Sequence, residues 1–274
     1  MIGIIGYGSV GSMLAYFLNK AGHIPYVLTK GREHCTVEFN GNKHRVKVKV
    51  VDYLPGNVKY TLVAVKAYDT ASIISKIEGV PVVFQNGIGG LELVKANLGL
   101  GYSAVVTYGA YRNGDSTLVV KGNVIMPKEL HELANLLTEG GMVIRLVDNV
   151  EPYRWLKAMV NSAINPITAI LKTKVGAVID NAQARWIADS IINECVRVTD
   201  AMGITMPTDP HEELIRVAES AREHYSSMYQ DIINHKPTEV DYLNGVFVNK
   251  GEELGVETPY NKLMFKLVKA MEIS

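Results

Sequence analysis

The stretch that most constrains this chain is its beginning, where the apolar run "IGII" leads into "GYGSVG" and then into the helical pattern "SMLAYFLNKAG". Gly6, Gly8 and Gly11 stand in G-x-G-x-x-G spacing, directly after a run that reads as a strand and directly before one that reads as a helix. The first glycine permits the tight turn, the second lets backbone amides approach a pyrophosphate, and the third lets helix and strand pack closely. The context predicts a dinucleotide cradle formed by Gly6, Tyr7, Gly8, Ser9, Val10 and Gly11; the bland alternative is a glycine-rich βα turn with no ligand.

The rest of the first half continues this beginning. "YVLT", "TLVAV", "PVVF", "SAVVTY" and "MVIRLV" alternate with helical segments such as "KELHELANLL", which predicts βαβ units and a mainly parallel sheet. The patch "KHRVKVKV" alternates like a strand with one solvated face. From Asn149 onward the strands disappear, and "PYRWLKAMVNSAINPITAIL", "ARWIADSIINECVRVTDAMG", "HEELIRVAESAREHY" and "YNKLMFKLVKAME" read as helices. Gly203 marks a helix end; Thr208 or Asp209 caps the next helix, with Pro210 in its first turn. The expected fold is a Rossmann-type α/β domain over residues 1–148 and an all-α domain over residues 149–274, with the boundary near Val147 to Val150.

Composition excludes several classes. A chain of 274 residues, 47% apolar and with formal net charge zero, can bury two cores. Clustered basic residues are missing, so no nucleic-acid surface is expected. No apolar run approaches the roughly 18–20 residues of a membrane span, and the apolar start lacks the basic region of a signal peptide. Cys35 and Cys195 lie far apart without a CxxC, and the histidines are scattered without an HExxH. These features predict a soluble cytoplasmic protein with no disulfide framework and no metal site.

About 20 residues past the glycines, where an acidic residue would hold an adenosine ribose hydroxyl, the chain reads "VLTKGRE". Lys30 and Arg32 can pair with a 2′-phosphate, which favours NADPH over NADH; Glu33 comes late, and the alternative is three solvated loop charges. Lys66 follows "TLVAV" and Asn86 follows "PVVFQ". The carboxyl ends of strands in an open α/β sheet line the ligand crevice, so both side chains are aimed where a nicotinamide would lie. Lys66 at a helix start and Asn86-Gly87 as a turn pair are the structural alternatives.

In "KAMVNSAINPITAI", Lys157, Asn161 and Asn165 recur every four residues and drift by roughly 40° per step, which makes one polar stripe on an otherwise apolar helix. A buried ammonium and two amides cost several kcal/mol unless partnered. Either they satisfy other protein groups or they point into a cleft and bind a polar ligand. Pro166 removes a backbone donor and is expected to kink the helix just past the stripe. A second polar cluster, "SSMYQDIINHKPTEVDYLNG", carries Ser226, Ser227, Glu239 and Asn244. Its plain reading is a serine cap followed by Thr238 opening the next helix.

Taken in order and spacing, "GYGSVG", "VKAYDT", "QNGIGG", "KAMVNSAINPITA" and "SSMYQDIINHKPTEVDYLNG" resemble the ketopantoate reductase (2-dehydropantoate 2-reductase) family over essentially the whole chain. The resemblance implies a Rossmann-type domain and an all-helical domain like the C-terminal domain of 6-phosphogluconate dehydrogenase, with the site in the cleft between them. It implies NADPH-dependent reduction of 2-dehydropantoate to (R)-pantoate, a precursor of pantothenate and coenzyme A. Lys157 would be the general acid, and Glu239 would lie beside substrate and cofactor and help orient the substrate. Asn161, Asn165, Ser227 and Asn86 would contact substrate, Lys66 and Asn86 would lie near the nicotinamide, and a homodimer is the assembly to consider.

The chemistry suits these residue types independently. Hydride delivery to a 2-keto acid builds negative charge on the ketone oxygen, and something must give it a proton. A lysine ammonium, ordinarily with a pKa of about 10.4, becomes a usable acid when burial or a neighbouring cation such as Lys66 lowers that value. Two competitors share the plan: another NAD(P)-dependent hydroxyacid dehydrogenase of the β-hydroxyacid or 6-phosphogluconate type, and a nucleotide-sensing module. Lys157, Asn161 and Glu239 speak against the second, since a sensor needs no acid.

Overall fold

The computed structural model describes residues 1–31 and 34–272. The chain forms two compact units, Met1–Gln85 with Gly90–Val150, and Asn86–Gly89 with Glu151–Ser274.

The first unit is Rossmann-type. Strands β1 (Ile2–Ile5), β2 (Tyr26–Leu28), β5 (Lys49–Val50), β6 (Tyr60–Val63), β7 (Val80–Val83) and β8 (Tyr102–Ser103) form a parallel sheet in the order β5-β2-β1-β6-β7-β8. Ile4 of β1 sits beside Val27 and Leu62. Every residue of β1 and β6 is buried, as a parallel sheet covered on both faces requires. One core contains Phe17 and Leu14 of α1 (Ser9–Lys20) and Leu133 and Leu137 of α4 (His131–Glu139). A second contains Ile73 of α2 (Thr70–Ile73) and Leu91 and Val94 of α3 (Gly90–Leu98).

Two smaller sheets complete this unit, and here the sequence reading needs correction. "SAVVTY" is not one strand: β8 joins the parallel sheet, while β9 (Val105–Val106) pairs antiparallel with β12 (Val124–Pro127), itself parallel to β13 (Ile144–Val147). Strands β3 (Cys35–Phe39), β4 (Asn42–Val46), β10 (Gly109–Asn113) and β11 (Ser116–Val120) form a further sheet in the order β10-β11-β3-β4. The β3–β4 turn holds Asn40 and Gly41 at φ 51° and 76°, the left-handed pair that a tight hairpin demands.

The second unit is all-helical. Helix α5 (Glu151–Leu171) packs against α7 (Ala182–Ala201), α8 (Pro210–Ser220), α9 (Ser227–Ile233) and α11 (Pro259–Met271), with α6 (Ala177–Asp180) and α10 (Asn244–Leu254) completing the set. Asp209 caps α8 by accepting from the His211 and Glu212 amides, Pro210 opens that helix, and Gly203 follows α7 at φ 72°. Residues 86–89 belong to this unit although the chain on both sides of them belongs to the other: Ile88 is buried in the helical core, which a single cut at residue 148 does not anticipate. Pro166 does not break α5, which continues to Leu171.

Among the described residues no helix is long and apolar enough to cross a membrane, and no group of three or more His, Cys, Asp or Glu could hold a metal ion. Inside the helical core, Glu194 of α7 accepts from the Tyr260 and Asn261 amides, both at 2.8 Å, and from Asn261 Nδ2 at 2.8 Å. The buried carboxylate thus satisfies first-turn amides of α11 that have no intrahelical partner. Glu194→Ala is expected to destabilise the chain by about 3 kcal/mol, and Glu194→Gln, which keeps one acceptor oxygen, by roughly half of that; denaturant unfolding measures both.

Candidate active site

The glycine turn separates two jobs. Gly6 takes φ 99°, and a Cβ there would lie 2.7 Å from the Val65 nitrogen; a Cβ on Gly11 would lie 1.9 Å from the Gly6 carbonyl oxygen. Packing alone demands these two glycines. A Cβ on Gly8 would meet nothing within 4 Å, so its backbone faces open space at the entry to α1. That helix has no side-chain cap and no acidic residue in its first turn. Bare backbone at a helix start, with free amides and the positive end of the dipole, fits a dinucleotide pyrophosphate. Tyr7 is buried, while Ser9 and Val10 are half-buried on the same turn.

Lys30 is exposed just past β2; Arg32 and Glu33 lie outside the described residues. Lys66 precedes the short turn Ala67–Asp69 after β6, and its carbonyl accepts from Gln85 Nε2 at 3.3 Å. The same Nε2 donates to Thr70 Oγ1 at 2.8 Å. Gln85 therefore ties the end of β7 to the turn that carries Lys66, a role the sequence reading missed although Gln85 stands immediately before Asn86.

In the helical unit, every residue of α5 from Arg154 to Ala169 is buried except Lys157 and Asn161. Lys157 Nζ donates to Asn86 Oδ1 at 2.7 Å. Asn86 is brought there by the short excursion: Gly87 takes φ 75°, where a Cβ would lie 2.3 Å from the Tyr242 carbonyl oxygen, and the Ile88 amide donates to that same oxygen at 2.9 Å. The turn reading of Asn86-Gly87 is thus realised, and the same turn brings the Asn86 side chain to Lys157.

Glu239 is buried just before the 3₁₀ turn Val240–Tyr242. Its neighbour Thr238 anchors the segment, donating from its amide and hydroxyl to Glu272 at 2.8 and 2.6 Å and accepting from the Val240 amide. Burial pushes the Lys157 ammonium down from its ordinary value to about 8, while the negative charge of Glu239 acts in the opposite direction. The lysine is therefore an acid that can lose and regain its proton close to neutral pH.

The side-chain amides of Asn161 and Asn165 have no hydrogen-bond partner among the described residues. Thr168 donates to Ser226 Oγ at 2.7 Å, and Ser226 accepts from the Tyr229 amide to cap α9. Ser226 is thus the buried structural serine, whereas Ser227, the first residue of α9, is exposed. Lys157, Asn86 and Glu239 form one group, and Asn161, Asn165 and Ser227 belong to the same helical unit. Gly6 to Gly11, Lys30 and Lys66 belong to the first unit.

Residues 2–127 match the family model for ketopantoate reductase PanE/ApbA and residues 149–272 that for its C-terminal domain. The 2-dehydropantoate 2-reductase of Pyrobaculum aerophilum is 44% identical over 99% of this chain and 98% of its own. That of Archaeoglobus fulgidus is 32% identical over 98% and 97%. Among solved structures, a PanE/ApbA family ketopantoate reductase from Ralstonia eutropha superposes with a TM-score of 0.90 at 25% identity, covering 99% of this chain and 98% of that one. A D-mandelate dehydrogenase bound to NADH and anilino(oxo)acetate gives 0.87 at 26% identity, with 99% and 98% covered.

The two kinds of glycine should respond differently to substitution. Gly8→Val is expected to change ligand-free stability by no more than about 0.5 kcal/mol while removing dinucleotide binding. Gly11→Ala should lower the thermal midpoint even without ligand. Thermal melts with and without dinucleotide read out both.

Proposed function

The chain belongs to the ketopantoate reductase family, and on that premise we propose that it reduces 2-dehydropantoate to (R)-pantoate with NADPH. The observation that carries the chemistry is the Lys157 ammonium, set on a buried helix, hydrogen-bonded to Asn86 and held near a pKa of about 8. When bound, NADPH supplies the hydride to the ketone carbon. Lys157 gives its proton to the ketone oxygen as negative charge develops there, and before that the ammonium favours the charge. Asn86 Oδ1 fixes the direction of the N–H bonds. Glu239 helps keep the ammonium charged and accepts from a substrate hydroxyl.

Asn161, Asn165 and Ser227 can donate to the carboxylate and accept from the hydroxyl, and their lack of charge leaves Lys157 as the proton source. The Gly6 to Gly11 turn holds the pyrophosphate, Lys66 lies toward the nicotinamide end, and Lys30 with Arg32 meets the 2′-phosphate. The likeness to D-mandelate dehydrogenase with NADH favours one second reading, a reductase of another 2-keto acid. Oxidation of NADPH and NADH measured with ketopantoate and with a phenyl-substituted 2-keto acid separates the two; no turnover with any of them would leave a nucleotide sensor. The cytoplasm is the compartment we propose, since Cys35 and Cys195 are buried thiols outside any disulfide, which a reducing environment preserves. A homodimer is the proposed assembly, because a Staphylococcus aureus ketopantoate reductase of this fold is dimeric; sedimentation tests it.

Lys157→Met is expected to lower the turnover rate by roughly 10²–10⁴ with NADPH affinity unchanged. In the native protein, reductase turnover should fall as pH rises through about 8, because only the ammonium carries the transferable proton. Glu239→Gln removes the charge that raises this value, so the fall should move to lower pH. The folded value lies below the ordinary one, so the unfolded chain binds this proton more tightly; the stability penalty is complete below about 8 and is relieved as pH rises. Lys157→Met should therefore not lower the thermal midpoint at pH 7. A strongly lowered midpoint with near-native turnover would make the lysine structural.

For the cofactor, replacing Lys30 and Arg32 together by serine should weaken NADPH by at least tenfold relative to NADH, since well-made charge-assisted bonds contribute about 1.5–3 kcal/mol each. Equal losses for both cofactors would overturn the phosphate assignment.

A further inference from the structure

An α-helical carbonyl is met by the amide four residues on, so the Ser162 carbonyl faces position 166, where Pro166 has no N–H and its ring crowds that same oxygen. Ser162 is fully buried, so its carbonyl cannot turn to water. Asn244, the first residue of α10 and equally buried, donates from Nδ2 to the Ser162 oxygen at 2.9 Å. The same nitrogen donates to Asn261 Oδ1 at 3.0 Å, and Asn261 in turn donates to the carboxylate of Glu194. The substitute donor thus comes from α10, is held by Asn261 of α11, and is linked through that residue to Glu194 of α7.

We infer that Asn244 is a positioning residue for the keto acid: its amide replaces the backbone donor that Pro166 lacks and so sets the course of the turn of α5 that carries Asn161 and Asn165. Those two asparagines stand immediately before Ser162 and Pro166, so any swing of the crowded carbonyl moves them both. The ammonium of Lys157 lies more than a turn away and has its own partner in Asn86. The inference rests on the reading of Asn161 and Asn165 as substrate contacts.

Steady-state kinetics of the full chain with ketopantoate at saturating NADPH provide the test. Asn244→Leu should raise the ketopantoate KM by about tenfold, as a small misplacement of binding groups does, and leave the alkaline fall of turnover where it was. Pro166→Ala alone should keep a near-native KM. In the Pro166→Ala background the backbone amide restored at that position can reach the Ser162 carbonyl, so Asn244→Leu should then raise KM by no more than about twofold. Stability by itself does not decide the matter, because Asn244 Oδ1 is buried without a hydrogen-bond partner and leucine removes that burden as well. If Asn244→Leu gives no soluble protein, Asn244→Ser in the two backgrounds carries the same comparison. A KM unchanged by the single substitution, or raised equally in both backgrounds, overturns the proposal. Asn161→Ala distinguishes the two levels: a raised KM there with none at Asn244 sinks only this inference, whereas no change at Asn161 removes the substrate reading beneath it.

Discussion

The ammonium of Lys157 stands on a helix whose neighbouring positions are buried, and an ion there without partners would be solvated too poorly to persist. Much of the helical unit answers that constraint. The segment 86–89 leaves the first unit's chain path to bring Asn86 Oδ1 within 2.7 Å, and it is secured by burial of Ile88 and by the close seat of Gly87 on the Tyr242 carbonyl. Thr238 clamps the segment that carries Glu239 onto the end of α11. The partners reduce the desolvation penalty without cancelling it, and the part that remains lowers the lysine's pKa from its ordinary value to about 8.

Backbone groups are handled with the same economy in both units. In the glycine turn, Gly6 and Gly11 have protein atoms lying against them, whereas Gly8 has nothing against it and leaves the backbone at the start of α1 open. In α5, a proline interrupts the hydrogen-bond ladder beside Asn161 and Asn165, and a side-chain amide from α10 closes the gap. Both arrangements place polar backbone where a ligand or a fixed side chain can meet it. In both, the supporting residue, Gln85 for Lys66 and Asn244 for α5, comes from a different element than the group it holds.

Family membership and geometry contribute different parts of the functional reading. The substrate is named by likeness to 2-dehydropantoate 2-reductases along nearly the whole chain. The reaction type stands on chemistry visible in the molecule, a tunable acid among neutral hydrogen-bonding amides. A backbone shared with a dehydrogenase of a different 2-hydroxy acid shows that this scaffold can serve several side chains on the keto acid.

By itself the sequence determined what local periodicity and backbone sterics encode. The strand, glycine turn and helix at the start, the change from alternating β and α patterns to helices alone near residue 150, a cap at Thr208 or Asp209, and the stripe of Lys157, Asn161 and Asn165 all follow from spacing within one element. The Asn40-Gly41 hairpin was legible too, in "FNGN", but the basic alternation beside it drew attention to a single strand. Tertiary structure alone decided matters that depend on groups far apart in the chain: that Asn86 accepts from a lysine 71 positions away, that Ser226 rather than Ser227 is the buried serine, that Gln85 holds Lys66, and that Pro166 is tolerated because Asn244 meets its orphaned carbonyl. Local pattern says which side chains need partners; only the closed fold says who the partners are, because hydrogen bonding is short-ranged and chain separation carries no information about distance in space.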